Sequence, residues 1–162
     1  MFDSEIETLA ASVIDAYRAR GWRLATAESC TGGLVAAALI GIAGSSDAVE
    51  RGYVTYSNAA KIEMLGVPEP TILAHGAVSA ETAQAMAAGA ARRAGVDAAV
   101  SVVGIAGPGG GTAEKPVGLV HIGIARRGQG GRSERHVFAG DRDAIRRAAL
   151  IRALEMLKAE AA

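Results

Sequence analysis

Three side chains in this sequence have the types needed for acyl chemistry without a metal: Ser29, Tyr56 and Lys61. A serine hydroxyl becomes a nucleophile when a base takes its proton. A lysine can be that base if burial or a neighbouring cation depresses its pKa, and a tyrosine can relay the proton. Ser29 lies in Thr26-Ala27-Glu28-Ser29-Cys30-Thr31-Gly32-Gly33, where an apolar strand pattern gives way to a helix pattern. Such a turn lifts one side chain into a crevice, and the free N–H groups around it can stabilise negative charge. Taken singly, a serine before a helix is more often a cap, a tyrosine a strand aromatic and a lysine a solvated charge. The combination is what points to chemistry.

Other residues could join or replace this set. Arg142, at the start of the last helix pattern, is a candidate anion clamp, because a cation there opposes the helix dipole and invites an anion to offset it. Gly104-Ile105-Ala106-Gly107-Pro108-Gly109-Gly110-Gly111 can expose consecutive N–H groups to phosphate or carboxylate. It matches neither G-x-x-x-x-G-K-[ST] nor G-x-G-x-x-G, and Lys115 stands too far on to serve as a phosphate-loop lysine. Cys30 with Glu28 and Lys61 could form the glutamate, lysine and cysteine set of nitrilase-type amidases, although a buried small residue is the preferred reading of Cys30. His75, His121 and His136 lack metal-ligand spacing, so no metal site and no cofactor are expected.

The elements that must hold these residues alternate along the chain. Ser4 with Glu7 forms a capping box ahead of a helix carrying Ile6, Leu9, Ala10, Val13, Ile14 and Tyr17 and stopping at Gly21. Arg23–Ala27 is a short strand, Thr31-Gly32-Gly33 opens an apolar helix to Ile40, and 41–47 is a loop. Val49–Tyr56 has strand composition, and Ser57 or Asn58 caps a helix holding Lys61 that ends at Gly66 before Pro68 and Pro70. Ser79 caps a helix over 80–94. Ala98–Val103 reads as a strand buried on both faces, 119–125 as a second strand, 134–138 as an edge strand, and Asp141 caps the final helix. This order predicts an α/β fold, a single three-layer α/β/α domain over 1–162 with a mixed, mostly parallel sheet. Ligands in such sheets bind beyond strand ends, where the turns after Ala27, Tyr56 and Val103 can converge.

Composition narrows the function classes. Seventeen basic and seventeen acidic residues give zero formal charge, and 4% aromatic content leaves little for base stacking, so nucleic acid is not an expected partner. One cysteine precludes an intrachain disulfide and suits a reducing compartment. The N-terminus lacks the order of a secretory signal, and no apolar run approaches the roughly 20 residues that span a bilayer, so a cytoplasmic protein without a membrane partner is expected.

Together, 26–33, Gly52-Tyr53-Val54-Thr55-Tyr56-Ser57-Asn58 through Lys61, Leu65-Gly66-Val67, His75-Gly76-Ala77-Val78-Ser79, 104–110 and Lys115-Pro116-Val117-Gly118 resemble the CinA C-terminal domain family in its stand-alone form. The resemblance implies hydrolysis of nicotinamide mononucleotide to nicotinate mononucleotide and ammonia, in pyridine-nucleotide recycling, by a homodimer. It implies catalytic roles for Ser29, Tyr56 and Lys61, and it brings Ser46 and Arg142 to the site. The expected substrate-binding set is then Glu28, Thr31, Gly32, Gly33, Ser46, Gly104, Gly107, Gly109 and Arg142, with oxyanion donors among Thr31–Gly33 or the Ser46 loop. The family usually has threonine where this chain has Val103, which removes a hydroxyl contact under the glycine loop. A non-catalytic nucleotide-binding regulatory domain, and the Cys30-based amidase, stand as alternatives.

Overall fold

The computed structural model describes residues 1–162. Its centre is a five-stranded sheet. Strand β1 (Leu24–Glu28) lies between β2 (Val49–Val54) and β3 (Ala98–Gly104), both parallel to it; β4 (Leu119–Arg126) is antiparallel to β3, and β5 (Arg132–Val137) is antiparallel to β4, in the order β2-β1-β3-β4-β5. Four of the five strands therefore run one way, the mixed, mostly parallel sheet that the element order predicts.

Helices cover both faces. On one, α1 (Ser4–Arg20), α2 (Leu34–Ile40) and α6 (Arg142–Glu160) enclose the larger core with Tyr17, Leu24, Val100, Ile122, Leu150 and Leu154. On the other, α3 (Asn58–Leu65), α4 (Glu69–His75) and α5 (Ala80–Ala94) cover a smaller core of Ala25, Ala27, Leu65, Met86, Ala99 and Val103. Alternate residues of β1 and β3 thus go to opposite sides of the sheet, which is why β3 is apolar almost throughout and β1 is buried along its whole length. No helix is long and apolar enough to cross a membrane.

The small residues of α5 have a packing reason. They let the helix lie so close to the sheet that Ser101 on β3 donates its hydroxyl to the backbone carbonyl of Ala83, 2.6 Å away. On its outer side a Cβ at Gly89 would sit well inside contact distance of the Leu65 carbonyl oxygen, so the end of α3 rests directly on α5 backbone. That contact fixes α3, the helix that carries Lys61.

Three local expectations change. The cap of α1 is Asp3, whose carboxylate accepts from the Ile6 N–H at 3.1 Å and also binds Arg147, a long-range tie that selects it over Ser4. Pro68 and Pro70 do not simply follow a helix stop; they start α4, since proline is tolerated in a first turn where N–H groups have no helical partner. The loop at 41–47 contains a 3₁₀ turn over Ser45–Asp47.

Gly89→Ala places a methyl group against the Leu65 carbonyl. Overpacking of this kind costs about 1–3 kcal/mol. A lowered urea midpoint with an unchanged m-value is the expected result, and an unchanged midpoint would show that α3 is not held by this contact.

Candidate active site

The site begins where β1 ends. The Ser29 N–H donates to the Val102 carbonyl of β3 at 2.9 Å, and the Thr55 N–H, just beyond β2, donates to the Glu28 carbonyl at 2.9 Å. Three neighbouring strand ends are thereby tied around one turn. Gly32 and Gly33 then take φ of 61° and 99°, conformations that a side chain would strain, and α2 starts immediately afterwards.

No residue at the start of α2 caps it locally. The buried carboxylate of Glu28 reaches across instead, accepting from the N–H groups of Gly33 at 3.0 Å, Val35 at 3.1 Å and Ala36 at 2.9 Å. Both of its oxygens are occupied in this way. The expected substrate contact from Glu28 gives way to a structural bond set that holds the turn in shape. Gly33 is spent in the same set, and the Gly32 N–H donates to the Ser29 carbonyl at 3.1 Å. Of the expected oxyanion donors in Thr31–Gly33, only the Thr31 N–H has no partner within the chain; the Cys30 N–H shares that property.

Lys61 enters from the opposite core. Its helix is capped by Ser57, whose hydroxyl accepts from the Ala60 N–H at 3.0 Å. The Lys61 side chain is only 1% exposed, and its Nζ lies 3.3 Å from Ser29 Oγ, 2.8 Å from the Thr55 carbonyl and 3.3 Å from the Tyr56 carbonyl. It forms no ion pair with a carboxylate. Burial pushes its pKa below the ordinary lysine value, against a smaller opposing effect from Cys30. That opposing effect needs a thiolate, and burial raises the Cys30 pKa to about 11, with Glu28 adding to the rise, so Cys30 is neutral near pH 7. A neutral thiol, together with the committed carboxylate of Glu28, leaves the Cys30-based set without an activated nucleophile or a free carboxylate.

Tyr56 contributes its carbonyl to Lys61, while its phenol is 70% exposed and makes no hydrogen bond. Tyr56 borders a cleft of about 200 Å³, walled also by Cys30, the 104–110 loop and Arg142. Within that loop the N–H groups of Ala106, Gly107, Gly109 and Gly110 donate to no atom of the chain. Arg142, at the head of α6, donates from Nη1 to the Gly107 carbonyl at 2.8 Å and so fixes the loop to the helix. Beneath the loop, Val103 is buried opposite His121 of β4, and the buried His121 Nδ1 has no hydrogen-bond partner.

The structure joins Ser29 and Lys61 at the turn, with Thr31 buried beside them, and puts Tyr56, Gly104, Gly107, Gly109 and Arg142 on the wall of the adjoining cleft, to which the turn contributes Cys30. Ser46, carried by the 3₁₀ turn to the β2 edge, lines a second cavity of about 430 Å³ with Gly52, Val54 and the β1 residues Thr26 and Glu28 that lead into the Ser29 turn. One residue escaped the sequence reading. Arg146 donates from Nε to the Cys30 carbonyl at 3.1 Å and from Nη2 to the Thr31 carbonyl at 3.2 Å. Its one visible signal is the four-residue interval from Arg142, which puts both on one helix face.

A Glu28→Gln variant keeps the shape but replaces one acceptor oxygen with a donor facing N–H groups. Hydrogen bonds to charged groups contribute about 1.5–3 kcal/mol each. A loss of folding stability on that scale is expected in urea denaturation; a variant as stable as the parent would remove Glu28 as the element that shapes the turn.

Comparison with known proteins agrees with the geometry. The CinA C-terminal domain matches residues 6–161 of this chain. A protein of Escherichia coli strain K12 named nicotinamide-nucleotide amidohydrolase PncC is 52% identical over 157 residues, which cover 97% of this chain and 95% of that protein. A putative competence-damage inducible protein of Symbiobacterium thermophilum is 49% identical over 98% of this chain but only 39% of its own, longer length. Among solved structures, competence/damage inducible protein CihA from Agrobacterium tumefaciens superposes with a TM-score of 0.95 at 50% identity, covering 98% of this chain and 97% of that one.

Proposed function

Since the chain belongs to the CinA C-terminal domain family, we propose that it hydrolyses the carboxamide of nicotinamide mononucleotide, giving nicotinate mononucleotide and ammonia. The observation that carries the reading is the 3.3 Å approach of a buried, unpaired lysine amine to Ser29 Oγ. The name of the Escherichia coli relative supplies the substrate class.

The contacts of Lys61 suit a neutral amine. A neutral amine has two N–H donors and one lone pair. As an ammonium, Lys61 donates to Ser29 Oγ and to the carbonyls of Thr55 and Tyr56; once neutral, it keeps the two carbonyls for its two donors and turns its lone pair to the Ser29 hydroxyl proton. Ser29 Oγ then attacks the carboxamide carbon as that proton passes to Lys61. Collapse of the tetrahedral intermediate breaks the C–N bond, Lys61 returns the proton to the leaving nitrogen, and ammonia departs. Water, deprotonated by the same amine, attacks the ester; the C–O bond to Ser29 breaks and the carboxylate product forms. Lys61 acts on Ser29 directly, and Tyr56 holds Lys61 through its carbonyl and borders the cleft.

The substrate phosphate is assigned to the unpaired N–H groups of the 104–111 loop and to Arg142. A cleft of about 200 Å³ falls below the usual range of roughly 300–1,000 Å³ for ligand pockets. Part of a mononucleotide therefore remains outside its walls.

Ser29→Ala is expected to abolish ammonia release from nicotinamide mononucleotide while the protein stays folded, and Cys30→Ala to retain most activity; the reverse pattern would return the thiol-based reading. Binding of the mononucleotide without turnover by the parent protein would favour the regulatory alternative.

The pH dependence follows from burial. Lowering the Lys61 pKa below 10.5 keeps the amine neutral over a wider range, so kcat/KM should rise as pH climbs through the folded-state value and level off below 10.5. The same shift makes folding stability rise with pH between the folded and unfolded values and level off below the folded one, where both states are protonated. Lys61→Arg, permanently charged, should lose about 10²–10⁴-fold in kcat and with it this limb. A pH-rate profile unchanged in Lys61→Arg would remove lysine as the base.

A further inference from the structure

The glycine loop assigned to the substrate phosphate is part of a longer excursion between β3 and β4. The Ile105 N–H donates to the Leu119 carbonyl at 2.9 Å and the Gly118 N–H to the Ile105 carbonyl at 2.8 Å, so residues 106–117 leave the sheet together. Within the excursion, Gly109 and Gly110 are exposed, line the cleft and keep free N–H groups. An exposed glycine pair has no side chains to pack, so whatever holds it in one conformation comes from outside the pair.

Support comes from Val117. A Cβ at Gly107 would lie 2.6 Å from Val117 Cγ1, and one at Gly111 would lie 2.7 Å from the Val117 N. Both ends of the 107–111 segment therefore rest on one residue, with the exposed tip suspended between them. Arg142 grips the Gly107 carbonyl from α6 at 2.8 Å. The Val117 side has a tether of its own, two residues earlier. Lys115 Nζ donates to the His75 carbonyl at 2.7 Å and lies over Gly76, where a Cβ would come within 2.9 Å of it. The Thr112 N–H donates to the Lys115 carbonyl at 2.8 Å and Thr112 Oγ1 accepts from the Lys115 N–H at 3.0 Å, closing the turn that presents the lysine. Pro116, with its fixed φ, carries the position of Lys115 on to Val117.

The anchor is firm. His75 ends α4, where last-turn carbonyls lack helical partners and an ammonium is favourable. α4 packs through Ile72 into the smaller core. The Gly76 carbonyl accepts from Ser79 Oγ at 3.1 Å and from Thr82 Oγ1 at 2.7 Å, which fixes the end of α4 to the start of α5.

We propose that Lys115 is a positioning residue that makes the site selective for a phosphorylated substrate: by pinning the far side of the excursion to α4 it holds Val117 against Gly107 and Gly111, and so keeps the free Gly109 and Gly110 N–H groups in one arrangement for the phosphate. The proposal rests on the assignment of the phosphate to this loop. Lys115 touches no substrate atom, because its ammonium is spent on His75. Its contribution is preorganisation, which lowers the ordering cost of binding. The phosphate is held alike before and during the acyl chemistry, so the effect falls on KM and spares kcat.

The test compares the parent, Lys115→Met and Lys115→Arg on nicotinamide mononucleotide and on nicotinamide riboside, which has the same carboxamide and no phosphate. One hydrogen bond of ordinary net strength corresponds to about threefold to tenfold in affinity. The expected result for Lys115→Met is a mononucleotide KM raised by that factor, an unchanged kcat, an unchanged kcat/KM for the riboside, and recovery in Lys115→Arg, which keeps the donor. In the unliganded protein the Gly109 and Gly110 amide resonances should shift or broaden in Lys115→Met, because the tether acts before substrate arrives. An unchanged mononucleotide KM overturns the proposal, and so does an equal loss for both substrates, which marks general loosening. A raised KM with unmoved glycine amides also overturns it, since that marks direct contact between Lys115 and the phosphate. If Lys115→Met does not fold by circular dichroism, Lys115→Ala takes its place under the same criteria. A parent that hydrolyses the riboside as well as the mononucleotide overturns the phosphate assignment, and the tether falls with it. A parent that binds both ligands without releasing ammonia overturns the hydrolytic reading, and calorimetric Kd values for the two ligands then decide on Lys115. A parent that binds neither overturns both.

Discussion

An amine buried without a carboxylate partner is the constraint to which this structure is fitted. Desolvation of a lone cation is costly, and the usual remedy, an ion pair, would stabilise the charged form and raise the pKa of Lys61 instead of lowering it. Here the amine meets two carbonyl oxygens and a hydroxyl, which satisfy its donors but supply no counter-charge to offset desolvation of the ammonium. Glu28, next to Ser29 in the chain, would be an obvious counter-ion, but its oxygens are bound to three N–H groups at the start of α2. One buried carboxylate thus shapes the turn and is kept from neutralising the base.

The two reacting side chains come from opposite sides of the sheet. Ser29 stands on a turn whose next residue, Cys30, packs into the core under α1, α2 and α6, whereas Lys61 is carried by a helix packed through Leu65 into the other core. They meet beyond the strand ends, where the sheet stops separating the layers. The backbone bonds from Ser29 to Val102 and from Thr55 to Glu28 set the spacing of the three strand ends, and the Gly89 contact sets the height of α3. The separation of Ser29 and Lys61 is consequently a property of sheet register and helix packing, with little left to loop conformation.

Periodicity made the layers and most element positions legible, because alternating and helical apolar patterns directly reflect which faces are buried. β1, β3 and α5 could be read this way. The turn at 26–33 was legible for another reason: its glycines and its change of period mark a conformational switch. What local sequence could not show were bonds between distant segments. Glu28 looks like a site residue until its three backbone partners are seen, and Arg146 looks like surface charge until Cys30 and Thr31 arrive beside it from 116 and 115 residues away. Ser46 illustrates the converse case, since its place depends on how a 3₁₀ turn leads into the β2 edge, and nothing in Gly44-Ser45-Ser46 fixes that path.

The head of α6 joins these points. Cations in a first helical turn oppose the macrodipole, at a cost of about 0.3–1 kcal/mol each. Arg142 in that turn and Arg146 in the next spend their donors mainly on carbonyl oxygens of the two loops that wall the cleft, those of Gly107, Cys30 and Thr31. Carbonyls satisfy a guanidinium's geometry without cancelling its charge, and the exposed Asp143 stands 3.7 Å from Arg146. Arg142 therefore keeps its charge at the cleft wall. On the proposed reading that charge serves the phosphate that arrives with the substrate. Two arginines one turn apart, each fixed to a different loop, hold the glycine loop and the nucleophile turn to the same helix head.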